Sequence, residues 1–273
     1  MKDLTINTDV ARQILTGFIK SELTRVGFSR AVIGLSGGID SALSFALAVE
    51  ALGPDNVLAV RMPYQSSSAD SLEHAQLVID QYQTPSETIE ITDMVEPLLR
   101  YEPEMTKQRK GNIMARERMI VLYDRSEAFR GLVIGTSNKT EILLGYSTLW
   151  GDMASAVNPL GDLYKTQVRQ LARALGLPKA VIDKPPSADL WSGQTDEGEL
   201  GFTYEEADKL LFLLVDQRYS PQECIEEGFD RLLVDAVLNR IRRSQFKRMM
   251  PPIAKLSNRT VGYDFLYLRD WGT

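Results

Sequence analysis

The run Ala31-Val32-Ile33-Gly34-Leu35-Ser36-Gly37-Gly38-Ile39-Asp40-Ser41, continuing as ALSFALA, constrains this chain more than any other stretch. A short β-branched segment stops at glycines, and a helical pattern begins directly after them, which reads as a strand, a tight turn and a helix start. Glycine lets the backbone come close to a ligand. The amides of a first helical turn are unpaired and lie at the positive end of the helix dipole, so such a turn suits phosphate or pyrophosphate. Ser36 and Ser41 add hydroxyl donors. A carboxylate beside a bound anion, here Asp40, makes chemical sense when a divalent cation joins the two.

Three glycine motifs compete for this segment. The Walker loop requires Lys-Ser/Thr after its last glycine, whereas Ile39-Asp40 follows Gly38. The dinucleotide fingerprint requires G-x-G-x-x-G, a spacing that Gly34, Gly37 and Gly38 do not have. The hydrolase elbow G-x-S-x-G does fit residues 34–38, but it needs a histidine late in the chain, and the single histidine is His74. What remains is a βα turn built for an anion.

Beyond this turn the chain alternates strand and helix patterns. Residues 7–26 read as an amphipathic helix with Val10, Ile14, Phe18 and Leu23 facing inward. Strands are predicted at 30–35, 57–62, 87–91 and 131–135, with a short fifth at 156–159, and helices at 39–52, 68–82, 92–101 and 107–129. Further helices follow at 164–174, 203–216 and 231–249. Alternation of this kind implies βαβ units and a doubly wound α/β fold: a parallel sheet of about five strands with helices on both faces. Residues 184–202, rich in Pro, Gly and polar side chains, form a long connection of the kind that serves as a lid. At 136–141 the fourth strand ends in Thr-Ser-Asn-Lys-Thr-Glu, again bringing a hydroxyl and a cap-forming residue to a helix start. If strands 1 and 4 are neighbours, Asp40 and Glu141 share one crevice at the carboxyl ends of the strands.

The net charge of −6 argues against a nucleic-acid partner, whose binding rests on phosphate neutralisation. With Cys224 as the single cysteine, an intrachain disulfide or a cysteine-cluster metal site is impossible. No apolar run reaches the ~18 residues of a membrane span, and the first residues carry no apolar targeting core. A cytoplasmic protein is the expectation.

The SGGIDS segment resembles the pyrophosphate-binding loop of the N-type ATP pyrophosphatases, which split ATP between its α- and β-phosphates and adenylate an oxygen of their substrate. GNIMARERM, GTSNKTEILLGYSTLWGDMA, NPLGDLYKTQV and KPPSADLW follow in an order and spacing similar to the NAD synthetases, so that the resemblance spans essentially residues 8–265. It implies one synthetase domain over residues 1–273, an adenine-nucleotide α-hydrolase-like fold, and formation of a carbon–nitrogen bond. Ammonia would join deamido-NAD, driven by ATP cleavage to AMP and pyrophosphate, through a nicotinate carboxylate adenylated as a mixed anhydride.

By the same resemblance Gly34, Leu35, Ser36, Gly37, Gly38, Ile39, Asp40 and Ser41 bind ATP together with Thr136, Lys165 and Ser187. Asp40 and Glu141 hold Mg²⁺. Asp40, Asp152 and Lys165 are catalytic, and Arg116 and Lys247 contact deamido-NAD. The ammonium of Lys165 suits a polyphosphate. Leu149, Ala156 and Phe246 depart from the lysine, aspartate and histidine that ammonia-dependent members often carry for the acceptor. The resemblance also implies a homodimer with the helix at 107–129 at its boundary, and no fused amidase domain. Nitrogen would then come from free ammonia or a separate amidase subunit. Another amide-forming ATP pyrophosphatase, such as a GMP-synthetase-like subunit, and a non-catalytic adenine-nucleotide-binding protein are the alternatives.

Overall fold

The computed structural model describes residues 4–191 and 193–265. Its centre is built from β1 (Ala31–Gly34), β2 (Val57–Arg61), β3 (Ser86–Thr88) and β4 (Leu132–Val133), all parallel, in the order β3-β2-β1-β4. Around them lie α1 (Thr8–Arg25), α2 (Ile39–Leu52), α3 (Ala69–Tyr82), α4 (Thr92–Tyr101) and α5 (Lys107–Phe129). The chain continues through α6 (Lys139–Leu144), α7 (Lys165–Ala174), α8 (Lys179–Ile182), α9 (Asp196–Leu200), α10 (Tyr204–Leu211), α11 (Pro221–Glu226) and α12 (Arg231–Ser244).

The period of two along each strand divides the core between two faces. Ala31 and Ile33 of β1, with Val57 and Ala59 of β2, pack with α1, α2 and α7. Val32, Leu58 and Val60 point the other way, into a cluster with Val95 of α4 and Met114 and Val121 of α5. Burial on both faces explains why these strands are continuous apolar runs rather than alternating ones. A third cluster, made by α6 and α10–α12, involves no strand. Among the described residues no helix is long and apolar enough to cross a membrane.

Among the described residues the sheet has four strands, not five. At the expected fifth, Val157 makes one parallel bridge to Ile134. Gly135 N donates to Val157 O at 2.7 Å and Ala156 N to Val133 O at 2.9 Å. Pro159 then offers no N–H, so the ladder goes no further. The inward stripe of α1 is shifted in its first half. Phe18 and Leu23 face the core as expected, but Val10 and Ile14 are exposed, and Ala11, Leu15 and Ile19 pack inward instead. Two stripes at helical spacing overlap on this helix, and the tertiary contact with α2 selects between them in its first turns. In residues 184–202 the second half folds as α9 instead of open loop.

The order places the topological switch between β1 and β4. The chain steps outward from β1 to β3, then returns to the far side of β1. Loops leaving adjacent strands in opposite directions open a crevice at their carboxyl ends.

Candidate active site

The crevice is a cavity of about 790 Å³, within the range of small-molecule sites. Of residues 34–41, all but Gly37 line it. Gly37 makes the turn possible: it has φ +76°, and a Cβ there would lie 2.1 Å from the carbonyl oxygen of Ser71. Gly38 is the N-cap of α2 and supplies no side-chain cap bond, so the first-turn amides are left for a ligand. The turn is braced internally. Ser41 Oγ donates to Gly38 O at 2.9 Å and accepts from Ser36 N at 3.2 Å. Across the crevice Ser44 Oγ of α2 donates to Gly135 O at 2.8 Å, tying the two loops together beside Thr136, which also faces the cavity.

Lys165, the first residue of α7, joins the halves. Its side chain is 3% exposed, and Nζ lies 2.6 Å from Asp40 Oδ2 and 2.9 Å from Glu141 Oε1. Asn138 completes the ring. Its Nδ2 donates to Asp40 Oδ1 at 2.8 Å, while its Oδ1 accepts from Glu141 N at 3.0 Å, as N-cap of α6. Burial works against the Lys165 ammonium, but Asp40 and Glu141 outweigh it and hold its pKa above the ordinary value. Burial, with Asp40 nearby, pushes Glu141 up to about 7 despite the pull of Lys165. Asp196 is buried too, raised by that burial, and its Oδ1 has no hydrogen-bond partner among the described residues. One ammonium therefore lies among acidic side chains, two of which, Glu141 and Asp196, are pushed toward their neutral forms by burial.

Asp152 and Lys247 also line the cavity. Asp152 Oδ1 accepts from Thr148 N at 2.6 Å. Its carboxylate opens onto the cavity, yet the surrounding protein raises its pKa against the pull of Thr148, Lys247 and Arg118. Lys247 Nζ donates to Gly145 O at 2.8 Å and Ser147 O at 2.6 Å; burial lowers its pKa although Asp152 counteracts. Arg116 is exposed and off the cavity, with Nε donating to Leu149 O at 3.3 Å. Of the three departures, Phe246 is 61% exposed, Ala156 is exposed, and Leu149 is half-buried.

Ser187 lines the cavity, and its Oγ accepts from Asp189 N at 3.1 Å. Its segment is pinned down. Asp189 Oδ2 accepts from Ser71 Oγ at 2.7 Å and from Ser68 N at 3.2 Å, at the start of α3. Lys184 Nζ donates to the same Ser71 Oγ at 2.8 Å. Leu190 sits over Gly111 of α5, where a Cβ would come within 2.7 Å of its Cδ1.

Several cavity residues are not evident in the sequence. Arg118 lines the cavity, anchored by Nε to Met62 O at 3.0 Å. Helical phase could have found it: Ala115, Arg118, Met119 and Leu122, at i, i+3, i+4 and i+7, all line the cavity. Lys184 and Asp189 lie in the KPPSADLW motif, but nothing local marks their contact with α3.

Fold and site together define a doubly wound nucleotide-type α/β protein with a glycine turn and a buried carboxylate–lysine cluster at its switch point. The NAD synthase family model matches residues 11–251. The chain is 54% identical to the NH(3)-dependent NAD(+) synthetase of Trichlorobacter lovleyi over 272 residues, the whole of both chains. Among solved structures it is similar to an NH3-dependent NAD synthetase from Campylobacter jejuni (TM-score 0.78, 33% identity, 92% of this chain and 100% of that one). It is also similar to an NMN synthetase from Francisella tularensis (TM-score 0.83, 32% identity, 92% of this chain and 100% of that one). The chain belongs to the NAD synthase family.

Proposed function

We propose that this chain is a carbon–nitrogen ligase that amidates deamido-NAD with ammonia, giving NAD, AMP and pyrophosphate. The observation that carries the reading is the Asp40–Lys165–Glu141 cluster, buried between the two strand-end loops of one cavity, in a chain alike end to end to an NH(3)-dependent NAD(+) synthetase. In this reading the 34–41 turn, Thr136 and Ser187 bind ATP, and Lys165 neutralises phosphate charge. The nicotinate carboxylate attacks the α-phosphorus and pyrophosphate leaves. Ammonia then attacks the acyl carbon, AMP departs, and Asp152, a carboxylate of raised pKa lining the cavity, takes the proton. Lys247 serves the acceptor.

The acidic groups gathered around Lys165 suit Mg²⁺, which Asp40 and Glu141 would hold once phosphate oxygens complete its shell. Among the described residues there is no cluster of three or more protein ligands, which accords with the habit of Mg²⁺ to bind through one or two carboxylates plus substrate phosphates. Bound there, it would neutralise phosphate charge. Residues 1–273 are read as one domain, and the assembly as a homodimer. On α5, Arg116, Ile120 and Tyr123 share one face at i, i+4 and i+7, and Ile120 and Tyr123 are 54% and 43% exposed, which favours that helix as the boundary and gives Arg116 a place in it.

Incubation with ATP, Mg²⁺, deamido-NAD and ammonium should yield NAD, AMP and pyrophosphate in equal amounts, at a rate that rises with pH toward the ammonium pKa, because only neutral ammonia is a nucleophile. Release of ADP would mean γ-phosphoryl transfer and refute the reading.

An acyl adenylate must be kept from water, and the segment at 184–202 is placed to do so. ATP with Mg²⁺ should slow limited proteolysis there. Ser192 lies outside the described residues, and the described cut sites run from 193 to 201. Asp189→Ala, which removes the latch to Ser68 and Ser71, should accelerate cleavage in the absence of nucleotide. Cleavage that ignores both ATP and Asp189 would leave the segment a passive connection.

A further inference from the structure

The sequence marks α10 only as one of the helices that close the fold, yet it reaches under the catalytic cluster. Tyr204 and Asp208, one helical turn apart on the same face of α10, are both fully buried. Lys165 Nζ stands 5.0 Å from the centre of the Tyr204 ring, within cation–π range. Below it, Asp208 Oδ2 accepts from Thr166 N at 2.8 Å, and Asp208 Oδ1 accepts from Thr140 Oγ1 at 2.5 Å. Thr140 Oγ1 in turn accepts from Lys165 N at 3.0 Å.

These bonds solve a local problem. The N-cap of α7 is Tyr164, which supplies no side-chain cap bond, so the first-turn amides of a buried helix end need acceptors from elsewhere. Asp208 takes the amide of Thr166, and Thr140 takes that of Lys165. Thr140 precedes Glu141 in α6, so a single carboxylate fixes the backbone of both the lysine and one of its two carboxylate partners. After α10 the chain continues as a π-helical turn, Phe212–Asp216, and there Asp216 accepts from the Tyr164 hydroxyl and from Lys139 Nζ. The N-terminus of α7 is thus held at three levels from one continuous helical segment: ring under ammonium, carboxylate under the first turn, carboxylate on the cap residue.

We propose that α10 is the platform that aims Lys165, with Asp208 as a positioning residue that acts on the nucleotide chiefly through that lysine and, by way of Thr140, through Glu141 beside it. The inference rests on the proposed function for the identity of the ligand, ATP, and on the geometry alone for the coupling. A lysine on a flexible stem is useful in a transition state only if its base is fixed, and a misplacement of about 1 Å can cost about 10²-fold in rate.

The test is a double-mutant cycle on the full chain, read by titration of Mg·ATP in the absence of acceptor and by kcat. Asp208→Asn keeps one acceptor but presents an amide N–H₂ to the other donor. It should weaken ATP binding and lower kcat on the order of 10- to 100-fold. In a Lys165→Met background the same change should weaken ATP binding by a clearly smaller factor, because its main route is gone and only the brace on Glu141 through Thr140 is left. A loss that multiplies in both backgrounds would overturn the proposal and leave Asp208 a general stabiliser of the fold. If Asp208→Asn does not fold, Thr140 carries the test. Thr140→Val removes the hydroxyl at nearly constant volume and should reproduce the loss, and Thr140→Ser should restore it; equal losses in both would overturn the proposal. A wild-type chain that binds ATP but makes no NAD would remove the proposed acceptor while leaving this cycle readable.

Discussion

Lys165→Met should lower kcat by at least ~10²-fold, the scale of losing one preorganised charge contact in a transition state, and should destabilise the fold as well. The ammonium is almost wholly buried between Asp40 and Glu141. Removing one member of a buried ion cluster leaves the others unpaired, which costs about 3–5 kcal/mol. Activity and stability should therefore fall together, and Mg²⁺ with ATP should recover part of the stability but not the rate. The loss should also depend on pH. Glu141 in the folded chain is raised to about 7 from an ordinary 4.5, so between those values the native state holds a proton that the unfolded chain has released. Its contribution to stability is present at low pH and is lost as pH rises through about 7. Without the lysine's pull the pKa rises further. The gap in melting temperature between Lys165→Met and the parent should be wider at pH 8 than at pH 6. A gap independent of pH, with turnover near normal, would remove Lys165 from the centre of the site.

How far the sequence foretold this site can be read from single residues. Strand runs such as Ala31-Val32-Ile33 and Val57–Arg61 carry the sheet, and α2, α4 and α5 begin and end where caps and periodicity place them, because those signals are local. Adjacency of β1 and β4 was a condition in the sequence and is a fact in the structure; on it depends the meeting of Asp40 with Glu141. The fifth strand failed at one proline. The stripe of α1 held at Phe18 and Leu23 but not at Val10 and Ile14, because two overlapping stripes competed there and only tertiary packing chose. Tyr204 and Asp208 were invisible for a different reason. In isolation they are an aromatic and an acid on an amphipathic helix, and Asp208 gains its meaning from Thr166, 42 positions away. Arg116 and Arg118 show the limit of a motif. At i and i+2 they project from nearly opposite sides of α5, and only Arg118 lines the cavity of this chain.

Asp40→Asn should prove almost as damaging as loss of the lysine, although it changes one atom. Both oxygens of Asp40 are committed: Oδ2 to Lys165 Nζ and Oδ1 to Asn138 Nδ2. Both partners are donors, so an asparagine must point its own N–H₂ at one of them in either orientation. Rotation of Asn138 cannot relieve the clash cheaply, because its Oδ1 accepts from Glu141 N as the cap of α6. Turning it would give up a cap bond that contributes about 1 kcal/mol. Lys165 cannot retreat either, since its backbone amide is held by Thr140. The substitution therefore disturbs three neighbours while removing the negative charge proposed to hold the cation. The expected result is a fall in kcat of at least ~10²-fold together with a higher Mg²⁺ concentration for half-maximal rate. The two readouts separate the causes. If Asp40 only braces Lys165, kcat falls and the Mg²⁺ requirement stays where it was. If it also binds the metal, both move. Near-normal turnover at saturating Mg²⁺ would exclude Asp40 from either role, and the turn at 34–41 would then act through its backbone amides alone.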